Sequence, residues 1–380
     1  MTTSSSGGPD GEAWLTLIGD DPRPWLRECD EPFARWVAAT QLDDRPAGDA
    51  VVRAAHQATL AHPAVRGVLD RVGSWSDPVR SHASPSFAPN LLTLLADLGV
   101  SGEDDLPGVG ELLDAMAEHR THDGRFQSFA TFMRQPAPAW SSLSCDNYAV
   151  CDVLVRFGRG DDPRVRTGLE AIVGDLTETS LGGGCPCRPH SRTGGRGPGR
   201  AGDPCPQVTA EALRVLARVD PALHADATSR LHDAARSLLA LWRERGSVRP
   251  YMFGHGVHFK AVKWPALWYS SRTVLDALAG YPGVWSGPRA ADDDRRAAAE
   301  IVACLAAYNC DADGRVTPRS VYRGFTDFSF GQKRHPSPVA TAWVCSVLRR
   351  FDAVATEAVE VDVTRLSSSM GGSGVPVAPR

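Results

Sequence analysis

The chain has 380 residues, with 41 Lys+Arg against 45 Asp+Glu and a formal net charge of -4. That balance argues against a dedicated nucleic-acid binder, which would carry a strongly basic domain. A composition 42% hydrophobic and 23% charged excludes a disordered chain and supplies a sizeable core. No apolar run reaches the ~18 residues of a membrane span, and Met1 to Gly11 holds neither a basic nor an apolar stretch. The expectation is a cytoplasmic protein without a transmembrane segment. Nine cysteines, an odd number with no secretory signal, read as reduced thiols or metal ligands rather than disulfides.

In chain order, six apolar helical segments end near Leu42, Gly99, Gly158, Asp220, Gly280 and Phe351, at spacings of 57, 59, 62, 60 and 71 residues. They read PFARWVAATQL, APNLLTLLADLG, NYAVCDVLVRFG, QVTAEALRVLARVD, ALWYSSRTVLDALAG and VATAWVCSVLRRF. Each has apolar side chains at helical spacing and few charges before its last turn, so each is a buried helix. Between them lie amphipathic segments with one wet face, clearest in DDPRVRTGLEAIVGDL, ATSRLHDAARSLLALWRE and DDDRRAAAEIVACLAAY. Several are followed by a glycine turn, as at Asp123-Gly124-Arg125-Phe126 and Asp313-Gly314-Arg315-Val316. The repeating unit is therefore a buried helix, a loop, a surface helix and a Gly turn. Periodicity alone leaves open whether six such hairpins stack as a solenoid or close into a ring.

The D-P-R-V start of a surface helix, the DG-aromatic turn and the apolar helix together resemble the prenyltransferase and squalene-oxidase repeat over about Pro24 to Phe351. The nearest similarity is to short bacterial squalene-cyclase-like proteins. The resemblance implies an all-α fold, an (α/α)6 toroid of six helical hairpins spanning residues 14–354, with flexible tails at 1–13 and 355–380. It is poorly specific for activity, since the same toroid serves triterpene cyclases, protein prenyltransferase β subunits and complement-type proteins.

In a toroid the starts of the inner helices gather at one mouth, where partial positive charge favours anions and lowers thiol pKa values. Cys145 and Asp146 begin the third such helix, Asp203, Cys205 and Gln207 the fourth, Lys263 and Trp264 the fifth, and Arg334 and His335 the sixth. The loop GGGCPCRPHSRTGGRGPGRAGDPC places Cys185, Cys187, His190 and Cys205 within 21 residues, next to Cys145. Tetrahedral zinc takes four N/S ligands, or three when catalytic. Cys145, Cys185, Cys187 and Cys205 are thus the candidate metal set, with His190 or Asp203 as substitutes. Cys185 and Cys187 are one residue apart rather than two, and small buried fillers or a redox pair are the competing readings. A second geometry competes: Asp203, Cys205 and His335 resemble, in position and type, the zinc ligands of protein prenyltransferase β subunits. That match implies an α-subunit partner, although Pro206 stands where the family has an aromatic residue.

The segment YMFGHGVHFKAVKWPALWY is aromatic and basic together. His255, His258 and Lys263 suit an anionic group, while Trp264, Trp268 and Tyr269 suit an apolar cavity whose aromatic faces stabilise cations. The alternative is core packing with histidines in a surface loop. No D-x-D-D or D-D-x-x-D occurs, which argues against ordinary terpene cyclisation, and no G-x-S-x-G, P-loop or G-x-G-x-x-G after a strand is present. The resulting expectation is a small-molecule enzyme with cyclase, isomerase, lyase or prenyl-transfer chemistry on an apolar substrate such as an isoprenoid, with Asp146 or His335 moving the proton. A toroid that only binds a lipid-like ligand or a protein, and a prenyltransferase-like β chain, are the alternatives.

Overall fold

The computed structural model describes residues 11–79, 81–131, 137–188, 202–247 and 253–366. The chain is mostly helical, 54% helix against 7% strand, with 16 helices among the described residues and no barrel. The helices are Arg23–Glu28 (α1), Pro32–Val37 (α2, continued by a π turn over Ala38–Leu42), Ala50–Ala61 (α3), Pro63–Leu69 (α4), Ala88–Asp97 (α5), Val109–Glu118 (α6), Ser144–Arg156 (α7) and Pro163–Asp175 (α8). They continue as Pro206–Leu216 (α9), Thr228–Arg243 (α10), Val257–Lys260 (α11), Ser271–Leu278 (α12), Pro282–Trp285 (α13), Asp292–Asn309 (α14), Pro338–Arg350 (α15) and Ala355–Val359 (α16). Against the all-α expectation stand three short ribbons. Ser128–Ala130 (β1) pairs antiparallel with Ala139–Ser141 (β2), and Thr177–Thr179 (β3) with Gly182–Gly184 (β4). Lys263–Trp264 (β5) pairs parallel with Ser320–Val321 (β6). No helix among the described residues is long and apolar enough to cross a membrane.

The six apolar segments are α2, α5, α7, α9, α12 and α15, and their neighbours follow from their burial. α7 and α15 are buried nearly all round, whereas α8 buries Val165, Gly168, Leu169 and Ile172 along one stripe, as its sequence period requires. α5 packs on α7, α7 on α9, α9 on α12, α12 on α15, and α15 back on α2, while α8 and α10 cover α7 and α9. Ties between the two ends of the chain support that last contact. The Glu31 carboxylate accepts from the backbone N–H groups of Ser329 (3.0 Å) and Val339 (3.2 Å) and from the Ser329 hydroxyl (2.9 Å). The Trp343 indole donates to the Asp97 carbonyl at 3.0 Å, and the Trp14 N–H to Asp352 Oδ1 at 2.8 Å. α16 packs on Ala13–Leu17 and α14, so the folded chain continues past residue 354, where the sequence suggests a tail.

The Gly turns perform one repeated task. After three of these turns, a buried residue donates its N–H to a polar side chain at the fourth position of the next inner helix. Phe126 donates to Asn147 Oδ1 (3.0 Å), Cys185 to Thr209 Oγ1 (3.0 Å) and Val316 to Thr341 Oγ1 (2.9 Å). A buried N–H is satisfied each time, and the loop is held against the helix start. The turn at Gly314 needs φ of +72°, and a Cβ there would lie 2.5 Å from the Asp20 carbonyl oxygen. Gly314→Ala is expected to lower stability by more than about 1 kcal/mol. Urea unfolding checks it, and an unchanged midpoint would mean that the turn relaxes at no cost.

Candidate functional site

Among the described residues, one group brings its metal-ligating atoms together: those of His82, Cys145 and Asp146 lie within 4.8 Å of one another. Cys145 and Asp146 are the second and third residues of α7, and His82 comes from the loop that leads into α5. Cys145 Sγ is 3.4 Å from His82 Nε2, and His82 Nδ1 is 3.9 Å from Asp146 Oδ1. Asp146 Oδ2 accepts from the Leu143 N–H at 2.9 Å, closing the first turn of the helix. Its other oxygen makes no hydrogen bond at normal geometry among the described residues. The Asp146 side chain is 0% exposed and that of His82 22%.

Among the described residues, no cation offsets the Asp146 carboxyl. Burial pushes the Asp146 carboxyl up to about 7, only partly offset by the Leu143 N–H and the neighbouring Ser128 hydroxyl. Burial, then the Asp146 and Glu211 charges, push the Cys145 thiol well above its ordinary value, overriding the help that a helix N-terminus gives a thiolate. Burial holds His82 down at about 4, in its neutral, ligating form. A carboxylate, a thiolate and a neutral imidazole buried together are what a divalent ion compensates.

The sign of the metal-free pH dependence follows. A carboxyl whose folded pKa lies above its unfolded value binds more protons when folded, so its contribution to stability declines as pH rises between the two values. Metal-free protein is therefore expected to lose stability as pH rises from about 4 to 7 on account of Asp146, with Asp146→Asn flattening that slope. Chelator-treated protein unfolded in urea across this range checks it, and an identical slope in the variant would refute the assignment.

The other expected site residues fall into three places. Cys185 is fully buried, and its thiol, raised to about 12 by burial, faces the Tyr148 hydroxyl. Cys205 caps α9, donates its N–H to the Cys185 carbonyl at 2.9 Å, and is likewise raised by burial. Cys187 is half-buried; with Cys205 it is close enough for its charge to act on Cys145. The four cysteines thus share a neighbourhood but do not gather within ligand distance, because the Thr209 tie and the α9 cap direct Cys185 and Cys205 elsewhere. His190 lies outside the described residues. Asp203 accepts from the Ser180 hydroxyl at 3.0 Å. His335 is exposed, its N–H and C=O engaged by the Gln332 side chain at 3.0 and 2.8 Å. Asp203, Cys205 and His335 therefore form no ligand group, and no geometry here gives His335 a proton-transfer role.

In the aromatic segment, Trp268 is half-buried with its ring 5.5 Å from that of His82, and Phe253 and Tyr269 extend this wall. His255 is buried behind it, hydrogen-bonded to the Tyr269 hydroxyl at 2.9 Å and held at about 3 by burial, so it stays neutral and braces Tyr269. His258 and Lys263 are exposed, the latter 3.9 Å above the Tyr322 ring. Trp264 is buried and stacks on Trp343 at 5.9 Å, away from the His82 wall. Of the six expected substrate residues, Trp268 and Tyr269 stand at the site.

Below the cluster, the inner helices carry ion pairs where the sequence suggests an apolar cavity. Arg156 pairs with Asp97 (2.6 Å), Arg214 with Asp276 (2.8 Å), Arg218 with Asp152 (3.1 Å), and Arg350 with Asp276 (2.5 Å). The space left between α5, α7, α9 and α12 is about 40 Å³, lined by Asn90, Asp152, Gln207, Glu211 and Thr273 among others. Two members of this region escape the sequence reading. His82 lies in a Ser-rich loop rather than on an apolar helix, although its phase, just ahead of an inner helix, matches that of Cys145 and Cys205. Glu211 is the lone acid inside QVTAEALRVL. Comparisons with protein-family models, curated proteins and solved structures gave no match.

Proposed function

We propose that this chain is a small-molecule enzyme on a ring of six helical hairpins, with a zinc-type ion held by His82, Cys145 and Asp146 at the mouth where the inner helices begin. The observation that carries the reading is the convergence of three ligating side chains, one of them a fully buried carboxylate with no cation beside it among the described residues. The contact of α15 with α2, and the Glu31 ties across it, support ring closure. His82, Cys145 and Asp146 would hold such an ion, and with three protein ligands it would supply Lewis-acid chemistry to a substrate or water at the site. Cys187 and Cys205 stand as further thiols at the same mouth. The Trp268, Phe253 and Tyr269 wall gives the site an apolar side, which fits a substrate of isoprenoid or related natural-product type. An odd number of cysteines suits the reducing cytoplasm.

Such an ion would change the charge of the cluster, and that yields the test. Protein purified under reducing, chelator-free conditions should carry nearly one zinc per chain by elemental analysis. Metal-free protein that stays empty when titrated with zinc would sink the reading.

A second reading rests on a different feature of the same geometry, the use of both ring nitrogens. His82 Nε2 faces the Cys145 thiol and Nδ1 faces Asp146, the order of a thiol, imidazole and carboxyl relay for acyl transfer. There Cys145 Sγ would attack an acyl carbonyl carbon, its proton passing to His82, and the acyl–leaving-group bond would break as His82 gives that proton to the leaving group. Iodoacetamide separates the two: zinc should protect Cys145, whereas a relay labels Cys145 fastest in fully metal-free, zinc-refractory protein.

A further inference from the structure

Residues 71–79 and 81–88, with the start of β1, enclose a cleft of about 500 Å³, a size that suits a small molecule. Its outer edge, at Arg71, Asp77 and Ser86, is exposed, whereas Trp75, Phe87 and Ser128 are buried. The cleft therefore has a wet rim and an apolar inner end. The Trp75 and Phe87 rings lie 6.0 Å apart at that end, and Phe129 adds a third aromatic wall.

The polar groups of the rim have partners. Arg71 donates to the Gly324 carbonyl and holds its guanidinium 4.7 Å from the centre of the Phe325 ring. Asp77 accepts from the Ser74 N–H at 2.9 Å, and the Ser84 and Ser86 hydroxyls bond each other at 2.8 Å. The inner end is different. The Trp75 Nε1–H is buried with no acceptor among the described residues, and Ser128 Oγ is buried without a hydrogen bond of normal geometry. Folded chains pair nearly all such groups, because a buried donor left unpaired is costly. The indole N–H is a donor only, so the partner it lacks is an acceptor. An uncharged acceptor fits best. Arg71, the cation among the described lining residues, is held at the rim, and an anion at the inner end would be buried without a counter-charge.

We propose that this cleft binds an apolar carbonyl compound, an aryl ketone being the simplest, whose oxygen accepts from the Trp75 indole while Phe87 and Phe129 flank its body. The cleft adjoins the mouth group, since Ser81 lines it and precedes His82 in the chain. It needs no metal, and its failure would leave the metal reading standing.

The test compares benzophenone with diphenylmethane, the same two rings without the carbonyl oxygen, binding to the full chain and to Trp75→Phe by ligand-observed magnetic resonance. The ratio of ketone to hydrocarbon affinity should fall about 3- to 10-fold in the variant, the range that one neutral hydrogen bond supplies. A merely structural role for the indole would weaken both compounds and leave the ratio alone. An unchanged ratio would overturn the proposal, and so would wild-type protein that binds neither compound. Should Trp75→Phe not fold, benzophenone photo-crosslinking of wild type decides. Adducts mapped by mass spectrometry to residues 71–88 or to Ser128 and Phe129 support the cleft, and adducts confined to other segments reject it.

Discussion

Cys145→Ala is expected to abolish stoichiometric zinc binding, and His82→Ala to do the same, because each removes one of three ligands that have no described substitute within 4.8 Å. Removing a direct metal ligand of this kind weakens a site far more than the 10–100-fold typical of outer-shell changes. Cys185→Ser should leave the zinc content unchanged, since that thiol faces Tyr148 rather than the cluster. Cys205→Ser is the informative intermediate. Retained zinc means that His82, Cys145 and Asp146 suffice; loss means that the α9 cap turns in to complete a tetrahedron. Zinc kept by both Cys145→Ala and His82→Ala would place any bound metal elsewhere and remove the central premise. Elemental analysis with circular dichroism, to verify folding, makes these comparisons.

The second large effect belongs to the ion pairs at the far ends of the inner helices. Asp276 on α12 receives Arg214 and Arg350 at 2.8 and 2.5 Å and has Arg218 at 3.9 Å. Burial alone would favour its neutral form, yet Arg214, Arg350 and Arg218 hold it well below the usual carboxylate range. Asp276→Asn would leave these guanidiniums without their shared counter-charge, and a broken buried pair costs about 3–5 kcal/mol. Arg350→Gln should cost under about 1 kcal/mol, because that side chain is 42% exposed and solvent screens it. Asp97 is also held low, by Arg156 and Arg272 against its burial. Carboxyls with lowered folded pKa values stabilise the fold above their unfolded pKa, and that stability fades as pH falls through the folded value. The chain should therefore soften below about pH 4, the opposite direction from the Asp146 effect. Urea midpoints for the two variants check the assignment, and equal losses would show that the network is not held by Asp276.

What the sequence settled on its own was local and periodic. The six buried helices, the amphipathic α8 and the Gly turns at Gly124 and Gly314 were legible because a helix displays its burial every three or four residues and a left-handed turn needs glycine, whereas α14 and the second half of α10, which read as wet-faced surface helices, are buried nearly all round. The position of Cys145 and Asp146 at a helix start was legible for the same reason. Tertiary structure alone decided which helix starts meet. His82 reaches Cys145 from a loop with no periodic signal, while Cys185, close to Cys187 in sequence, is drawn away by the Thr209 tie and Tyr148. It also decided that the inner helices carry ion pairs rather than an apolar cavity. Charges such as Asp152, Arg214 and Asp276 look like wet faces in a linear reading, and they become partners only when neighbouring helices bring opposite charges within reach. Ligand sets and ion-pair networks depend on distances between segments some sixty residues apart, which no local pattern encodes.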